Sequence, residues 1–196
     1  MLLTANEKRV LRFIGSSLNV DYSINEIAKK CNVSPNGAYK ILNKLENGGI
    51  LKIKIIANIK SYKINFENDI TKKILELAFM PDKLEGRVQL RFEDIKQLKA
   101  VTTACILFGS YITTKKKPND LDILVVLEKK NFDSYKKSLS KVQDICPIKI
   151  QDIIQTTNDL IQNIKKQDPI VHEALKEGIF LWGAEKIVEA IEGAEG

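Results

Sequence analysis

The chain has 196 residues, a formal net charge of +6 and 44% hydrophobic side chains, enough for one large core or two small ones. It has no run of about 18 apolar residues, and the N-terminus MLLTANEKRV lacks the apolar stretch of a secretory leader. A soluble, cytoplasmic protein with no membrane partner is therefore expected. Cys31, Cys105 and Cys146 are odd in number and widely spaced, which speaks against a disulfide framework or a zinc site and for buried apolar roles.

Charge is unevenly spread. Residues 1–66 hold eleven Lys and Arg against four Asp and Glu, a net +7, so the remainder sums to −1. Two modules with different partners are expected.

Thr4 to Leu18 carries apolar residues at helical spacing (Val10, Leu11, Phe13, Ile14, Leu18), opened by a Thr4 cap with Glu7 three residues later. Ser23 and Glu26 repeat that capping signature for a second helix with Ile24, Ile27 and Ala28 inward. Ser34 caps a third, with Pro35 at its first position, running to Asn47 and stopping at Gly48-Gly49. Its inner stripe is Ala38, Ile41, Leu42 and Leu45. Its outer stripe is Asn36, Tyr39, Lys40, Asn43 and Lys44. Two β-branched runs, 50–56 and 59–66, joined at Ala57-Asn58, signal a hairpin.

This order over residues 4–66 resembles the winged helix-turn-helix of bacterial and archaeal transcription regulators. The resemblance implies that the third helix enters the major groove of double-stranded DNA. Asn36, Tyr39, Lys40, Asn43 and Lys44 would then meet base edges or phosphates, with the hairpin bases Lys52, Lys54, Lys60 and Lys63 near the backbone. The competing reading is a solvated lysine surface on a protein-interaction module. The concentration of +7 in this unit favours DNA.

Residues 68–80 form a further amphipathic stretch (Ile70, Ile74, Leu75, Leu77, Ala78), ended by Pro81-Asp82. It reads as a connector that joins the modules stiffly. Connectors of this kind often pair, so a homodimer is one expected state. Residues 85–101 read as helix, 103–108 as a buried strand, 131–142 as a crossing helix and 147–154 as another strand. Helices at 157–165 and 169–177 follow, then a segment from Gly178 to Gly183 and a last short helix.

The chemistry concentrates in Phe108-Gly109-Ser110 and Asp120-Leu121-Asp122. Carboxylates at i and i+2 on a strand share a face. In an otherwise apolar strand they are costly unless a cation lies between them, and a divalent metal with water and phosphate completing its shell would serve. The bland alternative is a capped, solvated strand start. Asp152 shares a strand face with Ile148, Ile150 and Ile154, a third acid in an apolar row.

Together these residues resemble the nucleotidyltransferase superfamily related to DNA polymerase β, closest to the minimal nucleotidyltransferase domains of prokaryotes. Asp168-Pro169-Ile170, Glu177-Gly178-Ile179 and Leu181-Trp182-Gly183 add to the likeness, which covers about residues 85–185. It implies two Mg²⁺ ions (or Mn²⁺) and a nucleoside triphosphate, the metals held by Asp120, Asp122 and Asp152. Asp152 would also assist deprotonation of the attacking hydroxyl. Gly109 and Ser110 would hold phosphate. Lys115, Lys116 and Lys117 could screen the triphosphate, although a solvated loop is the simpler reading. Asn119 stands where a serine is common in the family.

The expected architecture is α+β: a winged helix-turn-helix at 1–66, a connecting helix at 67–84, and an α/β nucleotidyltransferase domain with a small mixed sheet at 85–196. The expected function is a DNA-binding regulator that also transfers a nucleotidyl group from Mg-NTP. The alternatives are a regulator whose second domain only senses a nucleotide, and an antitoxin-like nucleotidyltransferase acting on a partner protein. His172 and Trp182 are expected to be structural.

Overall fold

The computed structural model describes residues 3–56, 59–113 and 118–195. The N-terminal helices form where their caps place them. Thr4 and Ser23 each close a capping box, at the head of Ala5–Ser16 (α1) and Ile24–Lys30 (α2). Ser34 caps Pro35–Asn47 (α3), with Pro35 in the first turn. Each such cap contributes about 1 kcal/mol. Strands Leu51–Ile56 (β1) and Ile59–Ile64 (β2) pair antiparallel as the wing; the expected turn residues Ala57 and Asn58 lie outside the described residues. Asp21 ties the wing to the α1–α2 turn, accepting from Ser61 Oγ at 2.9 Å and pairing with Lys63 at 3.3 Å.

The connector is Thr71–Phe79 (α4). Its inner face, Ile74, Leu75, Ala78 and Phe79, is buried within the chain, packed against α1 on one side and the C-terminal helix Ala184–Glu195 (α10) on the other. That face is therefore not free to pair with a second copy. Next come Gly86–Ile95 (α5), a 3-10 turn at Lys96–Ala100, and strand Ala104–Phe108 (β3).

A one-turn helix Ser110–Thr113 (α6) leads towards Asp120–Val126 (β4). Then follow Phe132–Ile145 (α7), Lys149–Gln155 (β5), Thr157–Lys165 (α8), Pro169–Glu177 (α9) and Ile179–Trp182 (β6). The sheet is mixed, in the order β5-β4-β3-β6, with only β4 and β5 parallel. Strand β6 was not expected. Four residues between Gly178 and Gly183 carry too little period-two pattern to announce a strand, yet it forms one sheet edge. Gly183 (φ +75°) packs so tightly on Thr103 and Ala104 that a Cβ there would overlap their backbone.

The two faces of the sheet are buried differently. Ala104, Ile106, Phe108, Leu124 and Val126 belong to a core that continues through α8, α9 and α10 into α1, α3 and α4. Cys105, Leu107, Leu121, Ile123 and Val125 pack with Ile95, Leu98, Tyr135 and Val142. The stiff join expected between the modules takes the form of a shared core, stitched by polar contacts. Arg12 of α1 donates to the carbonyls of Leu175 (3.2 Å) and Gly178 (2.5 Å) at the end of α9, with its guanidinium over the rings of Phe79 and Phe180. His172 Nδ1 lies 2.9 Å from the Ser16 carbonyl. Trp182 Nε1 donates to Thr102 Oγ1 at 3.1 Å inside the protein. Both rings hold structural positions. The three cysteines are buried and free.

Candidate functional site

Strand β3 delivers the chain to Gly109 at the sheet end where β4 begins, and the antiparallel register sets Phe108 opposite Asp122. Gly109 turns there at φ +71°, and a Cβ on it would overlap the Asp122 carboxylate. Only glycine meets both demands without strain. Ser110 is exposed at the start of α6, and Thr113 Oγ1 donates back to the Gly109 carbonyl at 3.1 Å. A short polar turn thus rests against the acid pair.

Asp120 and Asp122 share the sheet face that carries Leu124 and Val126. Burial raises the Asp122 carboxyl above its ordinary value of 3.8, and the negative charges of Asp120 and Glu173 raise it further. No base among the described residues offsets this repulsion. Glu173, on α9, was missed in the sequence. Its only signal there is an acid on a helix capped by Asp168, which accepts from the Ile170 and Val171 amides at 3.0 Å each. That cap gives Asp168-Pro169-Ile170 a structural role.

A family model described as "Polymerase beta, Nucleotidyltransferase" matches residues 93–186, and one described as "Winged helix-turn-helix DNA-binding" matches residues 3–52. The chain thus carries a winged helix-turn-helix domain followed by a nucleotidyltransferase domain. No curated protein and no solved structure matches it. Nucleotidyltransferase domains of this type are in general metal-dependent and use a nucleoside triphosphate.

Against that family expectation, Asp152 is displaced. In the parallel ladder Asp122 pairs with Gln151, and Asp152 pairs with Ile123. Paired residues point the same way, so Asp152 lies on the opposite face of the sheet from the Asp120–Asp122 pair. There Tyr135 Oη donates to it at 3.2 Å and Lys136 Nζ approaches to 3.1 Å. The in-phase reading with Ile150 and Ile154 was correct about the face. It was the apolar α7 face, though, not that of the acid pair. Among the described residues no group of three or more His, Cys, Asp or Glu is placed to hold a metal. The residues that do fit a divalent ion are the two carboxylates Asp120 and Asp122, whose mutual repulsion it would relieve. Lys115, Lys116 and Lys117 lie outside the described residues.

On the winged helix-turn-helix domain, α3 presents Asn36, Tyr39 and Lys40 to solvent, with Tyr39 51% exposed and Asn43 half-buried beside them. Lys44 is exposed on the same stripe but already has a partner. It pairs with the buried Glu7 at 2.5 Å, the same carboxylate that closes the α1 capping box. Burial disfavours charge on Glu7, but hydrogen bonds from Lys44 and Thr4 hold its pKa below the usual range. On the wing, Lys63 turns inward to the carbonyls of Leu18 and Val20, and Lys52 pairs with Glu67 at 3.7 Å. Lys54 and Lys60 stay exposed. The pairing of Lys54 with Ser61 and of Ile55 with Lys60 puts them on opposite faces of the ribbon.

Among the described residues no helix is long and apolar enough to cross a membrane.

Proposed function

We propose that this protein is a DNA-binding regulator whose nucleotidyltransferase domain binds a divalent metal with a nucleoside triphosphate, and whose hold on DNA responds to that binding. Asp120 and Asp122 would hold the metal, and Gly109 and Ser110 would bring a backbone amide and a hydroxyl to the phosphates. A bound Mg²⁺ or Mn²⁺ would supply charge neutralisation for the triphosphate. The observation that carries this reading is the same-face carboxylate pair, unbalanced in charge and packed against Gly109.

Nucleotide sensing is favoured over nucleotidyl transfer by one feature of the sheet. Beside Asp122 on the neighbouring strand, where the family resemblance implies a third acid, stands Gln151, a neutral amide that neither takes a proton nor balances a second cation. Coupling to DNA has a short physical route. Helix α9 carries Glu173, which acts on Asp122, next to His172, which meets α1 at Ser16. Transfer remains the second reading, because Asp120 and Asp122 are both present and Glu173 adds a third acid near them.

The test incubates the protein with Mg²⁺ and each labelled nucleoside triphosphate, beside an Asp120→Asn/Asp122→Asn variant. DNA affinity is measured with and without nucleotide. Metal-dependent binding without pyrophosphate release, lost in the variant and shifting DNA affinity, is the expected result. Pyrophosphate release selects the transfer reading. Mg²⁺-dependent binding that survives in the variant overturns the site.

A further inference from the structure

Away from the acid pair, a cavity of about 490 Å³ opens between α1, the end of α2, the Met80–Asp82 segment and the end of α9. It lies where the helix-turn-helix domain, the connector and the nucleotidyltransferase domain meet. Five bases line it, namely Lys8, Arg9, Arg12, Lys30 and Lys176, against the two acids Asp82 and Glu177. Its apolar wall includes Phe13, Ala78, Met80 and Pro81.

Much of this charge has a structural use. Lys8 reaches the Met80 carbonyl at 3.3 Å and Asp82 at 2.5 Å. Arg9 Nη1 donates to the carbonyl of Cys31 at 3.1 Å, and Arg12 serves the end of α9. Bases on α1 thus cap the C-termini of three helices, where carbonyl dipoles favour cations. The capping does not exhaust the donors. Arg12 Nε is buried with no hydrogen-bond partner, a deficit that ordinarily costs about 1–3 kcal/mol. Burial lowers the Arg12 pKa to about 10, with Glu177 opposing the shift. Arg9 keeps two of its guanidinium nitrogens beyond the Nη1 contacts. Lys30 has its ammonium over the Tyr22 ring at 5.6 Å.

We propose that this cavity binds a small phosphorylated ligand of nucleotide size, with its phosphates on Arg9 and Lys30 and its less polar part on the Phe13–Met80 wall. The volume suits such a molecule, and a net excess of three positive charges at a partly enclosed site selects for anions. The site is independent of the Asp120–Asp122 pair and requires no metal. Because its walls come from both domains, occupancy would bear on their relative placement and so on DNA affinity.

Calorimetry on the full chain in EDTA, with inorganic pyrophosphate, a nucleoside monophosphate and the matching nucleoside as probes, tests this directly. Binding of the monophosphate is expected, with the nucleoside at least tenfold weaker. Arg9→Ala/Lys30→Ala, two exposed positions, should weaken it at least tenfold, whereas Asp120→Asn/Asp122→Asn should leave it unchanged. Pyrophosphate binding as tightly as the monophosphate would show that phosphate alone is read and would overturn the role of the apolar wall. No metal-independent binding of any probe sinks the proposal. Retained binding in the Arg9/Lys30 variant, or loss in the Asp120/Asp122 variant, does so as well. If the Arg9/Lys30 variant loses DNA affinity and no probe binds, the bases serve DNA instead.

Discussion

Asp122 stands opposite Gln151 across the parallel β4–β5 ladder, one position out of step with Asp152. Strand alternation turns this single step into a change of sheet face. Asp152→Asn should therefore leave metal-nucleotide affinity within about twofold, costing only the local stability of its contacts with Tyr135 and Lys136, about 1 kcal/mol. Gln151→Asp should strengthen Mg²⁺-dependent nucleotide binding and, if an acceptor is present, raise pyrophosphate release. Titration calorimetry on the two variants checks both. A large loss of binding in Asp152→Asn would mean that β5 pairs in the other register.

A second expectation concerns pH and metal. The folded pKa of Asp122 is raised above its ordinary 3.8, so between that value and the raised one the native state binds more protons than the unfolded state. Stability contributed at this position falls as pH rises through that window. At pH 7 the metal-free protein carries the unrelieved repulsion of two carboxylates. Asp122→Asn should accordingly raise the melting temperature at pH 7 and have little effect near pH 3. Mg²⁺ or Mn²⁺ should raise the melting temperature of the wild type and not of Asp120→Asn/Asp122→Asn. A thermal-shift series over pH with EDTA or metal reads all of these. Destabilisation by Asp122→Asn at pH 7 would contradict the charge account.

Gly109→Ala probes the close approach. A side chain at φ +71° costs about 1 kcal/mol before any clash, and here the added methyl also meets the Asp122 carboxylate. A moderate drop in melting temperature is expected, with loss of metal-nucleotide binding even where the variant is fully folded. Far-UV circular dichroism beside calorimetry separates the two. Full binding in a folded Gly109→Ala protein would show that the turn does not border the site.

Much of the fold was legible because it is written locally. Thr4, Ser23 and Ser34 each announced a helix start, and α8 and α9 lie at the expected positions 157–165 and 169–177. What stayed hidden was set by partners distant in sequence. Strand β6 exists because β3 offers it an edge, and the connector is covered because α10 returns to it from over a hundred residues away. In the site, Gly109, Asp120 and Asp122 were legible because one turn and one strand position them. The periodicity of β5 correctly grouped Asp152 with Ile150, but alternation cannot say which face of a sheet lies up; only the pairing with β4 decides that. Glu173 and Lys44 were obscure for the same reason, since their charge partners lie on other elements.

The two lysines of α3 separate reading from holding. Both are exposed, but only Lys44 is committed to an ion pair, with Glu7 at 2.5 Å. Lys40→Ala should weaken DNA binding and reduce the slope of log affinity against log salt by about 1, as loss of one phosphate contact does. Lys60→Ala on the wing should act alike. Asn36→Ala should weaken binding while leaving the salt slope unchanged, because an amide reads base edges and releases no counterion. Lys44→Ala should instead leave Glu7 buried without its cation. Because Lys44 is half-exposed and its pairing is screened by solvent, the cost should be about 1 kcal/mol, or roughly 2–4 °C in melting temperature. Its salt slope should stay that of the wild type. Fluorescence anisotropy on a fixed duplex over a salt series, beside thermal unfolding of each variant, tests the division. A reduced slope for Lys44→Ala with unchanged stability would return Lys44 to the DNA-contacting surface and show that its pairing with Glu7 is given up on binding.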